Sequence, residues 1–249
     1  GLGTWMTIQT HAEPLIIAHR GYSAAAPENT VASIRRALAL DPPPAYVEID
    51  LHRSSDGILV VSHDLNTRRT TGVDKVIRET PFDVLRQLHA GLAEKFSTEF
   101  QNEPVPRFED ILNAVKGTPV GVMIECKQML IEDQVLAILQ QRGELKKHII
   151  ASFNDTTVYR AKQLEPSVRT LLLAGGVNPD IFWKARDLRA DIIGLNSGEK
   201  PENIRLGQEQ GFQTWVWTVD EENDIQKWID AGVDGIITNQ PERTLKMIK

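Results

Sequence analysis

The chain has 249 residues, of which 41% are hydrophobic and 25% charged, with 28 lysines and arginines against 34 aspartates and glutamates. This composition is too apolar for a disordered chain. A net charge of −6 without a basic block argues against a nucleic-acid-binding protein. The single cysteine, Cys126, excludes an internal disulfide and indicates a reducing compartment. No run approaches the ~18 apolar residues of a membrane span, and no signal peptide is evident, so we expect a cytoplasmic protein without stable membrane insertion.

Short β-rich runs alternate with amphipathic stretches along the chain. The predicted strands are Leu15–Ala18, Tyr46–Asp50, Val120–Glu125, His148–Ser152, Arg169–Leu173, Asp191–Leu195, Gln213–Val219 and Gly235–Thr238. The predicted helices are Glu28–Leu40, Phe108–Lys116, Ile131–Gln141, Asp155–Leu164, Asp180–Arg186, Glu202–Gln210, Glu221–Ala231 and Glu242–Ile248. This alternation is typical of parallel strands joined by right-handed crossovers.

Eight such units in about 240 residues predict an α/β protein, a (β/α)₈ TIM barrel, as a single domain over residues 1–249. A doubly wound open sheet is the alternative, but no glycine-rich dinucleotide motif follows the first strand. Gly1–Trp5 precede the first methionine and are expected to be an expression remnant. Residues 64–105 lack a clear strand, so we predict a small insertion there, either a subdomain or a lid.

Helix ends and one hairpin are also predicted. Asp155 and Asp220 are typical N-caps, and Gly211 and Gly232 stand where C′ glycines end helices. Asp-Gly at positions 56–57, between β-rich runs, predicts a β-hairpin after the second strand. With these two residues as the loop, Ser55 pairs with Ile58 and Asp50 pairs with His63.

Carboxylates cluster where predicted strands end. Glu48 and Asp50 stand two apart on the second strand, so both side chains point to the same face. Glu125 and Lys127 repeat this spacing at the end of the next barrel strand. The carboxyl ends of the strands form the active-site face of a TIM barrel. A carboxylate-rich set without thiolates suits one hard divalent metal ion, Ca²⁺ or Mg²⁺.

Two histidines join this predicted rim. His19 and Arg20 follow the first strand directly, and the hairpin delivers His63. Imidazoles suit proton transfer to and from oxygen, and Arg20 and Lys127 suit a phosphate group. The other histidines are expected to be structural or exposed: His11, His52, His89 and His148.

Two further features admit alternatives. Trp215 and Trp217 stand two apart on one predicted strand; we expect Trp215 in the core and Trp217 at the wall of a substrate pocket. Glu28 and Asn29 stand before the first predicted helix, where they are either capping residues or part of an anion site.

Eight short motifs stand in one order along the chain: Ile17–Gly21, Pro27–Thr30, Val47–Asp50, Asp56–Asp64, Thr70–Gly72, Ile124–Lys127, Trp217–Val219 and Gly235–Thr238. With these motifs the sequence resembles the glycerophosphodiester phosphodiesterase family over nearly its whole length. The resemblance implies a TIM barrel that hydrolyses a small-molecule glycerophosphodiester to sn-glycerol 3-phosphate and an alcohol.

The resemblance also implies residue roles. It places a divalent metal on Glu48, Asp50 and Glu125, and makes His19 and His63 the acid–base pair. Arg20 and Lys127 would contact the phosphate. Which histidine acts first as base, and whether water or the substrate's own 2-hydroxyl attacks, stays open. The alternatives are a lysophospholipase D-type phosphodiesterase or a metal-dependent sugar-phosphate lyase or isomerase, and the protein is expected to be a monomer or homodimer.

Overall fold

The structure is a computed structural model that describes residues 12–176 and 180–248. Gly1–Trp5 and His11 lie outside the described residues. The strands are β1 Leu15–Ala18, β2 Tyr46–Arg53, β3 Leu59–Val61, β4 Gly121–Cys126, β5 Ile149–Ser152, β6 Arg169–Ala174, β7 Ile192–Asn196, β8 Gln213–Trp217 and β9 Gly235–Thr238. The helices are α1 Val31–Leu38, α2 Arg68–Thr71, α3 Phe82–Leu85, α4 Ala93–Phe96, α5 Phe108–Val115, α6 Glu132–Gln141, α7 Asp155–Leu164, α8 Ile181–Asp187, α9 Glu202–Glu209, α10 Glu222–Asp230 and α11 Pro241–Ile248.

Eight of the strands close into a parallel barrel, which confirms the predicted (β/α)₈ fold. The order around the barrel is β1-β9-β8-β7-β6-β5-β4-β2, and β1 pairs with β2 to close the ring. The strands read as nearly continuous apolar runs because their outer side chains meet helices while their inner ones fill the barrel. The barrel interior includes Trp215, whose ring lies 5.7 Å from that of Tyr46, so Trp215 is a core residue as expected.

The hairpin forms, but in a different register from the predicted one. β3 pairs antiparallel with β2, with Leu51 opposite Val61 and Arg53 opposite Leu59. The backbone N–H of Ser54 donates to Ile58 O, so the loop has three residues instead of two. Gly57 takes the left-handed conformation at φ +83°, which only glycine adopts without cost. The predicted pairing of Asp50 with His63 is therefore wrong by one residue, and Ser62 N–H donates to Asp50 O.

The helix-end predictions are half right. Gly211 and Gly232 have φ of +93° and +74° and directly follow Gln210 and Ala231, the C-caps of α9 and α10, as C′ glycines do. The N-cap of α7 is Asn154, not Asp155, because the Asn154 side chain accepts from the Thr157 N–H. Asp220 does not cap α10; its carboxylate accepts other hydrogen bonds, described below.

The segment from 64 to 105 holds short elements only: α2, α3, α4 and the 3₁₀ turn Ile77–Glu79. It packs around a small apolar cluster of its own, which contains Ile77, Leu85 and Val105 and reaches Val60 of β3. Its role as a subdomain or lid stays a prediction. No helix within residues 12–176 and 180–248 has the length and apolar character needed to cross a lipid bilayer.

Candidate active site

A cavity of about 190 Å³ opens where the barrel strands end. All the residues predicted for the site line it: His19, Arg20, Glu48, Asp50, His63, Glu125, Lys127 and Trp217. Its other lining residues are Met123, Phe153, Leu173, Thr218 and Ile237. Strand geometry explains the assembly, since side chains two apart on a strand share one face and parallel strands end at the same rim.

Three buried carboxyl groups share the base of this cavity. Asp50 of β2 lies opposite Glu125 of β4. Glu48 stands two residues before Asp50 on β2, so its side chain points to the same face, deeper in the barrel. Burial, followed by repulsion from Asp50 and Glu125, raises the pKa of Glu48 well above its ordinary value. Burial and Asp50 likewise raise the pKa of Glu125 to about 7. Both carboxylate oxygens of Glu48 are buried and accept no hydrogen bond from the described residues.

Two cations offset part of this charge. Arg20 Nε lies 3.4 Å from Asp50 Oδ2, and Lys127 Nζ lies 2.5 Å from Glu125 Oε2. Burial alone would raise the pKa of Asp50, but the Arg20 guanidinium outweighs it and holds that pKa below its usual range. Among residues 12–176 and 180–248, no three acidic, histidine or cysteine side chains are already arranged as a metal site. The Lys127 ammonium lies directly beside the Glu125 carboxylate.

His19 is held from behind by an amide. Its Nδ1 lies 2.7 Å from Asn239 Oδ1, and its Nε2 points into the cavity, 3.8 Å from Glu48 Oε2. Burial, with the positive charge of Arg20, lowers the pKa of His19. The imidazole is therefore neutral near pH 7, which is the form that accepts a proton.

His63 is held by a carboxylate and by a second histidine. Its Nδ1 lies 2.8 Å from Asp64 Oδ1. Burial opposes ionisation of Asp64, but hydrogen bonds from Arg69 and His63 outweigh it and lower its pKa to about 2. His52, expected to be structural or exposed, is buried, and its Nε2 lies 3.0 Å from the His63 carbonyl oxygen. His52 thus fixes the backbone that carries His63.

The turn before α1 shows which roles Glu28 and Asn29 have, a question that the sequence left open. Thr30, not Glu28 or Asn29, caps α1. Glu28 accepts from Arg20 at 2.9 Å and from Arg69 at 2.6 and 2.9 Å. Asn29 donates to Asp50 Oδ2 at 3.0 Å and accepts from the Asp50 N–H at 3.2 Å. Both residues therefore support the site, and Arg69 ties the insertion to it.

Aromatic rings form one wall of the cavity. Trp217 donates from Nε1 to Gly194 O at 3.0 Å, which fixes its ring. Phe153 meets it edge to face, with ring centroids 5.5 Å apart, and Lys127 Nζ lies 6.0 Å from the Phe153 centroid. Sequence reasoning missed Phe153, although its place directly after β5 was a usable signal. Sequence reasoning also missed Asn239, although its place directly after β9 was the same kind of signal.

Taken together, the rim of this barrel offers cations for an anionic group and imidazoles for proton transfer. Fold and site thus define a TIM-barrel enzyme acting on an anionic substrate. The family model of the glycerophosphoryl diester phosphodiesterase family matches residues 19–243. The glycerophosphodiester phosphodiesterase of Caldanaerobacter subterraneus is 31% identical over 94% of this chain and 98% of its own. That of Bacillus subtilis is 28% identical over 94% of this chain and 86% of its own.

Solved structures give the same result. A phosphodiesterase of Oleispira antarctica, in complex with the product sn-glycerol-3-phosphate, superposes with a TM-score of 0.83 and 27% identity, covering 95% of this chain and 97% of its own. A glycerophosphodiester phosphodiesterase of Agrobacterium tumefaciens gives a TM-score of 0.80 and 25% identity, covering 94% and 99%. The chain belongs to the glycerophosphoryl diester phosphodiesterase family, and it is a phosphodiester hydrolase.

Proposed function

We propose that the protein hydrolyses glycerophosphodiesters to sn-glycerol 3-phosphate and an alcohol, with two histidines as the acid–base pair. The observation that carries this proposal is the meeting of His19 and His63 with Arg20 and Lys127 around one small cavity, on a chain of this family. The bound product in the Oleispira antarctica structure supports the same product here.

Each residue takes a role that its chemistry permits. Arg20 and Lys127 bind the phosphate oxygens and stabilise the charge that grows on them. One histidine removes the proton from the attacking oxygen, and the other gives a proton to the departing alkoxide. Trp217 and Phe153 form the wall against which the substrate packs.

One divalent cation, Ca²⁺ or Mg²⁺, fits the carboxyl groups of Glu48, Asp50 and Glu125. The fit rests on their chemistry: burial and the neighbouring carboxylates raise the pKa of Glu48 and of Glu125, and neither Glu48 oxygen accepts a hydrogen bond from the residues that the structure describes. Hard cations prefer such ligands. When bound, the ion would polarise the phosphoryl group as a Lewis acid.

A lysophospholipase D-type activity is the second candidate. Large apolar side chains stand exposed in the loops after β4 and β5, namely Met129 at 55%, Leu130 at 53% and Phe153 at 47%. These loops follow the strands that carry Glu125 and Ala151 to the rim, so an acyl chain leaving the cavity would meet them. The monomeric or homodimeric state and the cytoplasmic location stay predictions.

The experiment measures release of sn-glycerol 3-phosphate from glycerophosphocholine and glycerophosphoethanolamine, and release of lysophosphatidic acid from lysophosphatidylcholine. It is run on chelated enzyme and again after Mg²⁺, Ca²⁺ or Mn²⁺ is restored. We expect release from the two water-soluble diesters that vanishes on chelation and returns with one ion. Faster turnover of the lysophospholipid would favour the second candidate, and no release of any product from folded enzyme would contradict both.

The same assay separates the two nucleophiles. Attack by the substrate's 2-hydroxyl passes through a cyclic glycerol phosphate, which ³¹P spectroscopy of early time points detects. Attack by water gives glycerol 3-phosphate without it.

A further inference from the structure

Asp220 was expected to cap a helix, and its carboxylate has another use. Its Oδ1 accepts from Thr238 Oγ1 at 3.0 Å and from the backbone N–H of Asn239 at 2.8 Å. Its Oδ2 accepts from Asn239 Nδ2 at 2.8 Å. Arg243 binds the Asp220 carbonyl oxygen at 2.8 Å, which fixes the loop that holds the carboxylate.

These donors and acceptors determine the orientation of the Asn239 side-chain amide. An ionised carboxylate only accepts hydrogen bonds, so the Asn239 NH₂ group must face Asp220. Its oxygen must face the other way, where it meets His19 Nδ1 at 2.7 Å and the Ser23 hydroxyl at 2.6 Å. An amide oxygen also only accepts. The His19 nitrogen beside it must therefore carry the proton.

We propose that Asp220, acting through Asn239, sets the tautomer of His19, so that Nδ1 holds the proton and Nε2 exchanges protons with the substrate. Both are positioning residues, since neither lines the cavity that His19 shares with the carboxylates. The proposal rests on the proposed catalytic role of His19, and it holds whichever histidine acts first as base. An orienting carboxylate of this kind is decisive in the serine protease triad, where exchanging it for an amide lowers kcat about 10⁴-fold because the wrong tautomer forms.

The test uses the isosteric variant Asp220→Asn. Two donors, Thr238 Oγ1 and the Asn239 N–H, require an oxygen at the Oδ1 position, so the new NH₂ group points at the Asn239 amide. Asn239 must then turn over and present its own NH₂ group to His19, which forces the proton onto Nε2. The exchanged pair Asp220→Asn with Asn239→Asp restores the original pattern, because a carboxylate at 239 accepts from Asn at 220 and from His19.

The readouts are long-range ¹H–¹⁵N correlation spectra of the histidines and steady-state kinetics. At about pH 8, where a histidine of ordinary pKa near 6.5 is neutral, we expect Nδ1–H in the wild type and Nε2–H in Asp220→Asn. We expect kcat to fall by roughly 10²- to 10⁴-fold in Asp220→Asn with little change in KM. The exchanged pair should regain Nδ1–H and most of the lost kcat.

Asp234→Asn is the matched control, because Asp234 accepts from the Thr214 N–H at the opposite end of the barrel. It should leave both the tautomer and kcat unchanged. A wild-type His19 protonated at Nε2, or an Asp220→Asn enzyme that keeps Nδ1–H and its kcat, would overturn the proposal. The spectra decide it even if no glycerophosphodiester is hydrolysed, so its failure and that of the proposed function are distinguishable.

Discussion

The two histidines of the cavity differ in the group that holds Nδ1. His19 has the oxygen of a neutral amide, whereas His63 has the Asp64 carboxylate. An imidazole paired with a carboxylate is stabilised when it becomes an imidazolium, as in hydrolase triads. The pair is therefore chemically unequal, which suits a reaction that needs a base and an acid in the same step.

The catalytic role of His63 can be tested directly by removing its imidazole. His63→Ala should lower kcat by roughly 10²- to 10⁴-fold, the usual contribution of a general acid or base. The measurement is release of glycerol 3-phosphate from variants whose circular dichroism matches the wild type. His89→Ala is the control, since His89 lies in the insertion, away from the lining of the catalytic cavity. Near-full activity of folded His63→Ala would contradict the assignment.

The buried carboxyl group of Glu48 lowers the stability of the folded protein near neutral pH. Because burial and its neighbours raise the pKa of Glu48, the folded state favours its neutral form, and ionisation near pH 7 opposes folding. In chelator, Glu48→Gln should therefore raise the free energy of unfolding by roughly 1 kcal/mol. Added Ca²⁺ or Mg²⁺ should stabilise the wild type but not this variant.

Denaturant titrations with and without metal measure both effects. Asp234→Asn again serves as the control, because it lies away from the cavity and should respond to metal as the wild type does. Equal metal stabilisation of Glu48→Gln and wild type would contradict the ligand role of Glu48.

At the scale of elements, strands and helices were predictable where burial alone dictates them. β7 and β9 are runs of apolar residues, and a run buried on both faces admits little else. The register of the β2–β3 hairpin was not predictable, because it depends on Gly57 taking the left-handed position of a three-residue loop. The contacts of Asp220 were not predictable either. Its position before α10 is typical of a helix cap, but its carboxylate accepts hydrogen bonds from Thr238 at the end of β9 and from Asn239.

A buried histidine joins β4 to the connection before β5. His148 Nδ1 accepts from the Val122 N–H at 2.9 Å, and its Nε2 donates to Glu144 at 2.9 Å. Burial lowers the pKa of His148, so the fold favours the neutral ring. Its contribution to stability is complete above the unfolded pKa of about 6.5 and is lost as pH falls.

We expect the free energy of unfolding to decline as the pH falls below about 6.5, because His148 binds a proton more readily in the unfolded chain than in the folded one. Urea titrations at a series of pH values from neutral downward measure the decline. His148→Asn keeps an oxygen for the Val122 N–H and does not titrate, so its stability should be lower at neutral pH but fall less steeply. An equal slope in both proteins would assign the pH dependence to other groups.

At the scale of the whole molecule, side chains of the insertion contact the catalytic rim, and Arg69 makes the most extensive of these contacts. Arg69 of α2 binds Glu28 and the Asp64 carboxylate that holds His63. The apolar cluster around Ile77 and Leu85 contacts the rest of the chain at Val60 of β3. Sequence reasoning identified the neighbouring Thr70–Gly72 motif but not Arg69, because its partner Glu28, 41 residues away, is brought near only by the fold.

Arg69→Met should loosen this connection. We expect faster hydrogen exchange in residues 64–105 and a kcat lowered about 10- to 100-fold, the range for groups that orient site ligands. Arg68→Met is the matched control, since Arg68 is exposed and adjacent. Unchanged exchange and kcat in Arg69→Met would show that the insertion docks by other contacts.

The place of β1 in the ring has a consequence for biosynthesis. β1 lies between β2 and β9, so the first strand made must wait for the last. The hydrogen bond from His19 to Asn239 joins positions 220 apart in the chain. Contacts between residues so far apart in sequence form slowly during folding. A nascent chain that lacks β9 can neither close the barrel nor orient His19. We therefore expect activity to appear in one step at the end of folding, with no weakly active precursor on the ribosome.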